Sequence, residues 1–275
     1  MPPLTNEIKR QIKESGAQAV GVAVSDCVSR KGLLINPDLP FQPASTFKIC
    51  VMLEIFRQAQ TGLFSLEDTL PVKNEFHSIV DQSLFSLSAC DDAENGLYPL
   101  IGSSLPIREL TTRMITHSSN LATNILMELV TPGKVTDFMH SLGAKGLLVR
   151  RGVYDHKAFA LGLNNVATAR SLTQILKKLA LHRVVSPQAS EEMLAILKRQ
   201  HFNEGIPALL PAGLSIAHKT GWDGQIYHDA AIIYPPARPH YILTIMTSGL
   251  ADDKEAPALV ASLSKLIYDH QPEWR

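Results

Sequence analysis

Ser45 and Lys48 lie three residues apart in the run Pro43-Ala44-Ser45-Thr46-Phe47-Lys48. A helix starting at or just before Ser45 sets their side chains next to each other, an amine within reach of a hydroxyl. An amine in that place takes the hydroxyl proton and turns a weak nucleophile into one that attacks a carbonyl carbon. The residues that follow, Ile49, Val51, Met52, Leu53, Ile55 and Phe56, are apolar nearly all round, up to Gly62. That pattern predicts a helix buried in the middle of a domain. Burial disfavours the charged form of a lysine, which suits Lys48 to act as a base near neutral pH. Spacing alone does not single out this pair, because Ser262-Leu263-Ser264-Lys265 repeats it in a C-terminal amphipathic helix, where Lys265 reads as a solvated residue. What distinguishes Ser45 is its company further along: Ser118-Ser119-Asn120, then Lys219-Thr220-Gly221.

With S-x-x-K, S-x-N and K-T-G in this order, the chain resembles the class A β-lactamases and penicillin-binding proteins. The likeness runs from about Val20 to the C-terminal helix and includes Ile115 to Asn124. It implies an α/β (α+β) fold of the β-lactamase/transpeptidase type: an antiparallel sheet flanked by N- and C-terminal helices, plus an all-α lobe, with the site at the seam. A single catalytic domain would span residues 1–275, its α/β lobe about 1–42 and 202–275 and its all-α lobe about 43–201.

The resemblance also implies roles. Ser45 would be the acylated nucleophile, and Lys48 with Ser118 would handle protons. Asn120 would bond the substrate amide and the catalytic lysine, using an amide that both donates and accepts. Lys219 and Thr220 would hold a substrate carboxylate, and the Lys219 field would help keep Lys48 neutral. The backbone N–H groups of Ser45 and Trp222 would form an oxyanion hole, each such donor worth ~3 kcal/mol in the transition state. Gly221 allows a ligand close to the strand. Trp222 is large where relatives often carry a small residue, and it either narrows substrate choice or packs on the neighbouring strand. Ser119 stands where the family usually has Asp; Ser-Ser-Asn before Leu121, Ile125 and Leu129 is also a sound helix cap.

One departure is plain. Where the family carries a glutamate on an Ω-shaped loop to activate the deacylating water, this chain reads Arg150-Arg151-Gly152-Val153-Tyr154-Asp155-His156-Lys157, without Glu. Asp155 is the nearest carboxylate and the candidate base; its rival reading is a loop ion pair. Without a replacement, an acyl-enzyme would form and linger. Asn164-Asn165 is placed to pin the far end of the loop. The implied reaction is hydrolysis of the β-lactam amide through acyl-Ser45. A D-Ala-D-Ala peptidase, an esterase or a glutaminase on the same framework, or a non-hydrolytic penicillin-binding receptor, are the alternatives.

The elements that must position these residues are legible in outline. Asn6 to Glu14 reads as a surface helix, Val20, Val22 and Val24 with Gly32 to Asn36 as a strand hairpin, and Pro37 to Pro43 as the connection to Ser45. Gly62 to Pro106 is turn-rich, with Asp91 to Gly96 its plainest loop. Helices are predicted after Pro106, at Val135–Leu142, Thr168–His182 and Pro187–Gln200, then strands at Leu214–Gly221, Ala230–Tyr234 and Tyr241–Thr247, the first of them an edge strand. A last helix, Pro257–Tyr268, would cover the sheet.

Composition narrows the partners. Twenty-six basic residues balance 26 acidic ones and no basic run occurs, which excludes nucleic acid and leaves a small-molecule or peptide-like substrate. No apolar run is long enough to span a bilayer. Met1 to Thr5 carry no export signal, which leaves a cytoplasmic enzyme or a mature form numbered from an added Met. Cys27, Cys50 and Cys90 read as free thiols. Ten histidines form no H-x-H or H-E-x-x-H pattern, so neither a metal nor another cofactor is expected; His218 and His228 read as partly buried structural histidines with hydrogen-bond partners.

Overall fold

The computed structural model describes residues 3–29, 31–250 and 254–271; the export-signal reading rests in part on Met1 and Pro2, which lie outside them. Chain order begins α1 Leu4–Glu14, β1 Ala19–Asp26, β2 Gly32–Ile35 and α2 Lys48–Gln60. Short strands follow, β3 Thr69–Pro71, β4 Phe76–His77, β5 Leu84–Phe85 and β6 Ser104–Pro106. Helices then dominate: α3 Ile107–Thr116, α4 Asn120–Val130, α5 Pro132–Ser141, α6 His156–Ala160, α7 Ala169–Ala180 and α8 Pro187–Leu197. The chain ends with β7 Ser215–Asp223, β8 Ile226–Tyr234, β9 Tyr241–Ser248 and α9 Glu255–Asp269.

Five strands form one antiparallel sheet in the order β2-β1-β9-β8-β7, so β7, carrying Lys219-Thr220-Gly221, is an edge strand. Both faces of this sheet are covered, which explains why its central strands are buried along nearly their whole length instead of alternating. On the outer face Ile8, Val22, Ile233, Leu243, Leu263 and Ile267 form a core under α1 and α9. On the inner face Ala23, Ala230, Ile232, Ile242 and Met246 join the larger core of the helices, with α7 lying directly against β1, β8 and β9.

Helix α2 is the axis of the helical side. Residues 49–56 are at most 4% exposed, and α3, α4, α5 and α8 pack around it. Apolar residues all round its surface leave it no solvent face, and burying each large apolar side chain stabilises the fold by about 1.5–3 kcal/mol. The helix stops where Gly62 takes φ 78° and its N–H bonds back to Ala59 O.

The region 62–106 is more ordered than its turn-rich text suggests. β3 pairs with β6 and β4 with β5, strands too short for a period-2 pattern to register. α6 was likewise not expected; it is a five-residue turn of helix inside the loop that carries Asp155. β8 begins four residues before the predicted Ala230, because His228 and Asp229 are buried on internal partners and so are tolerated inside a strand.

Candidate active site

Ser45 lies in a 3-10 turn, Ala44–Phe47, and the α-helix proper begins at Lys48. In a 3-10 turn residues i and i+3 eclipse, so the expected alignment of Ser45 with Lys48 survives by a tighter geometry. Ala44, immediately before the nucleophile, has φ 43°, a left-handed conformation that costs a non-glycine residue about 1–3 kcal/mol. The incoming segment is fixed by His228, which is buried and whose ring nitrogens are 2.9 Å from Gln42 O and 3.1 Å from Thr247 N. Burial pushes the His228 imidazole down to about 4, so it is a neutral peg between sheet and nucleophile segment.

Lys48 is fully buried, and its amine donates to Ser118 O at 2.7 Å, Asn120 Oδ1 at 2.8 Å and Ser118 Oγ at 3.3 Å. Among the described residues it makes no hydrogen bond to Ser45, in contrast to the direct contact the spacing suggested. Burial pushes its pKa down to about 7, partly offset by the Asp92 charge. A neutral amine has two N–H groups; when Ser118 O and Asn120 Oδ1 take both, its lone pair is left to accept, and the Ser118 hydroxyl at 3.3 Å is the third partner.

Ser118 has φ 58° and is 2% exposed, held in a strained turn between α3 and α4. Its Oγ lies between two lysines, since Lys219 Nζ is 3.0 Å away and also donates to Thr220 O at 2.8 Å. Burial holds Lys219 well below the usual lysine range, and the nearby Lys48 charge pushes it lower, against the pull of Asp229. Burial is the largest cause of the lowering in both lysines.

The cap reading of Ser118-Ser119-Asn120 falls on one residue. Ser119 caps α4, its side chain accepting from Ala122 N at 3.2 Å, while Ser118 and Asn120 face the cleft. Asp92 completes the cap, accepting from Asn120 N at 2.9 Å and Leu121 N at 2.9 Å. Its carboxylate thus sits at the positive end of α4 beside Lys48. Nothing in the sequence pattern pointed to Asp92, because the bond spans 28 residues and joins a loop to a helix.

The loop from Arg150 to Asn165 forms the facing wall. Asn124, one turn beyond Asn120, accepts from Val153 N at 2.8 Å and donates to Val153 O at 3.0 Å. Gly152 makes that approach possible, since a Cβ there would lie 2.2 Å from Asn124 Oδ1. Asn165 accepts from Arg150 N and Arg151 N and donates to Arg151 O, while Asn164 accepts from the Arg151 guanidinium, so this pair does pin the far end of the loop. Two asparagines at i, i+4 on one helix were a readable sign for Asn124.

Asp155 is held by hydrogen bonds and not by the ion pair of the rival sequence reading. It caps α6 through Ala158 N at 3.0 Å and also accepts from Ser78 Oγ at 2.9 Å and Ile79 N at 2.9 Å. Burial raises its pKa, but the Ala158 and Ile79 N–H groups, the Ser78 hydroxyl and the Arg151 charge outweigh burial and hold the carboxyl below its ordinary value.

Ser45, Ser118, Asn120, Asp155 and Trp222 all line one cleft of about 310 Å³. Gly221 closes the junction with β7, where a Cβ would lie 2.6 Å from Ser45 N, so only glycine lets the strand end meet the nucleophile turn. The decoy pair behaves differently: Ser262 bonds Gln11 and Lys265 pairs with Asp269, both on α9 away from the cleft.

The profile of the beta-lactamase enzyme family matches residues 3–271. This chain belongs to that family. Within it, the chain is 25% identical to the extended-spectrum beta-lactamase PER-1 of Pseudomonas aeruginosa, over 98% of this chain and 88% of that protein. A beta-lactamase structure from Xanthomonas campestris superposes with a TM-score of 0.85 at 22% identity, covering 98% of this chain and 99% of the other. A mutant of PBP-A, solved as an acyl-enzyme complex with penicillin-G, superposes with a TM-score of 0.82 at 22% identity over 99% of this chain and all of that one. The fold is that of a β-lactamase, and the chain is a serine β-lactamase-like hydrolase. Among the described residues no helix is long and apolar enough to cross a membrane.

Proposed function

We propose that this protein opens the β-lactam amide through an acyl-Ser45 intermediate and that acylation is its fast half-reaction. The observation that carries this reading is the buried amine of Lys48, lowered to about 7 and bonded to Ser118 and Asn120 at the floor of the cleft. The penicillin-G acyl-enzyme of PBP-A and the beta-lactamase PER-1 support the substrate class.

In the proposed first step the Lys48 lone pair takes the Ser45 proton as Oγ attacks the carbonyl carbon. The C–O bond forms and the carbonyl oxygen becomes an oxyanion facing the Ser45 and Trp222 N–H groups. As the C–N bond breaks, Ser118 gives its proton to the leaving nitrogen, and Lys48, now protonated, restores it. Ser118 Oγ lies near both lysines, as a shuttle must. Asn120 accepts from Lys48 and offers its NH₂ to the substrate amide. A substrate carboxylate docks at Lys219 and Thr220; the Thr220 hydroxyl is buried without a partner among the described residues, and an arriving anion both satisfies it and favours a charged Lys219.

Deacylation needs a base for water. Asp155 on the cleft's facing wall is engaged by Ser78, Ile79 and Ala158, so we assign it the role of ordering the loop and read the acyl-enzyme as slow to hydrolyse. That same observation favours the second reading, a peptidase or a penicillin-binding receptor. Intact-protein mass spectrometry after mixing with benzylpenicillin tests the proposal: a Ser45-dependent adduct of substrate mass is expected, and its absence overturns it.

A further inference from the structure

The loop wall of the cleft carries a buried charge that its own bonds do not match. Arg151 lines the cleft and is 8% exposed. Its guanidinium donates to Leu163 O at 3.2 Å, Gly152 O at 3.1 Å and Asn164 Oδ1 at 2.8 Å, and all three acceptors are neutral. The carboxylates that pull on it are Asp155 and Asp223, and neither is bonded to it among the described residues. Asp155 is held by Ser78, Ile79 and Ala158, and Asp223 accepts from Gln42 at 3.2 Å. Burial pushes the Arg151 pKa below its ordinary value against that pull, yet an arginine keeps its charge at neutral pH.

A buried charge is as a rule paired, because without a partner it has given up its hydration for nothing. A guanidinium has five N–H groups, and the three loop bonds leave two of them over. Beside it lies an open apolar surface: the Arg151 Cζ stands 5.9 Å from the centre of the Phe159 ring, which also lines the cleft and is 53% exposed. In a penicillin the ring carboxylate and the acyl side chain leave the fused rings at opposite ends. With the carboxylate at Lys219 and Thr220 and the side-chain amide at Asn120, the side chain runs on toward the loop that Asn124, one turn beyond Asn120, ties down at Val153. Arg151 stands two residues before Val153.

We propose that Arg151 is a second anion subsite of the cleft, selecting β-lactams whose acyl side chain carries a carboxylate, with Phe159 as the apolar surface under that side chain. The inference rests on the reading of the cleft as a β-lactam site. The side-chain carboxylate accepts from the two remaining N–H groups and supplies the missing counter-charge, as a charge-assisted pair. Asp223 opposes it from the exposed rim, where solvent and salt screen the repulsion.

The test compares second-order acylation rate constants for benzylpenicillin and α-carboxybenzylpenicillin, which differ by one side-chain carboxylate. They are measured in the unaltered protein, Arg151→Gln, Arg151→Lys and Asn164→Asp, with melting temperatures alongside. Arg151→Gln is expected to lower the carboxybenzyl-to-benzyl ratio at least about tenfold, and Arg151→Lys should keep part of it. Asn164→Asp leaves the arginine and its loop bond in place but gives it a carboxylate of its own, so it should lower the ratio as well; it decides the matter if Arg151→Gln does not fold. An unchanged ratio in Asn164→Asp, or no acylation by the carboxybenzyl compound in the unaltered protein, overturns the inference while acylation by benzylpenicillin leaves the proposed function standing. Acylation by neither compound overturns both.

Discussion

The two walls of the cleft use their polar groups in opposite ways. On the wall of α2, α4 and β7, the groups near Ser45 are coupled to one another: Lys48 and Lys219 share Ser118 Oγ, and Asn120 joins Lys48. On the loop wall the polar groups hold the loop itself, with Asn124 on Val153, Asn165 on Arg150 and Arg151, and Asp155 on Ser78, Ile79 and Ala158. Residue type does not separate the two walls, since both are rich in hydrogen-bonding side chains. What separates them is where lone pairs and protons remain free. The first wall keeps an amine whose pKa is lowered to about 7 and a threonine hydroxyl without a partner among the described residues, while the Asp155 carboxylate of the second is taken up by Ser78, Ile79 and Ala158.

Variants on the first wall should have the largest effects. Ser45→Ala should remove at least about 10⁴-fold of acylation while leaving the melting temperature unchanged, as read by adduct mass and thermal unfolding. Lys48→Ala should slow acylation about 10²–10⁴-fold. In the unaltered protein the acylation rate should rise with pH through about 7, because the base acts once it has lost its proton; a stopped-flow pH profile shows this step, and Lys48→Ala should lack it. Asp92→Asn removes the charge that favours protonated Lys48, so the same profile should shift to lower pH. On the second wall, Asp155→Ala should cost about 1 kcal/mol of stability as a lost helix cap and change the rate of adduct decay little. If Asp155→Ala instead freezes the adduct, Asp155 is a base and the contrast between the walls fails. The smallest effect belongs to Ser262→Ala, which should leave both rates unaltered in the same assay.

Much of this was legible from the chain, and the limits have physical reasons. The apolar surface of α2, the alternation of β1 and the order of the three motifs depend on near neighbours, so pattern reading found them. The two S-x-x-K pairs differ only in environment: Lys48 became a base candidate through burial among four helices, and Lys265 an ion-paired surface residue. Spacing carries half of that distinction, and the later motifs supplied the rest. Asp92 and the tie between Gln200 and Ile115 were out of reach, because each joins segments far apart in the chain through a single side chain. The fate of Asp155 turned on Ser78 and Ile79, from a short hairpin whose strands are two residues each.

We propose that the cleft is built to acylate Ser45 and that Asp155, engaged by Ser78, Ile79 and Ala158, is not the base that releases the product. Time-resolved intact-protein mass spectrometry with benzylpenicillin, at pH values on both sides of 7 and with Ser45→Ala as control, tests it most directly. The account predicts a Ser45-dependent adduct that accumulates faster at higher pH and decays more slowly than it forms. Product release with no accumulated adduct, or an adduct that persists in Ser45→Ala, would contradict it.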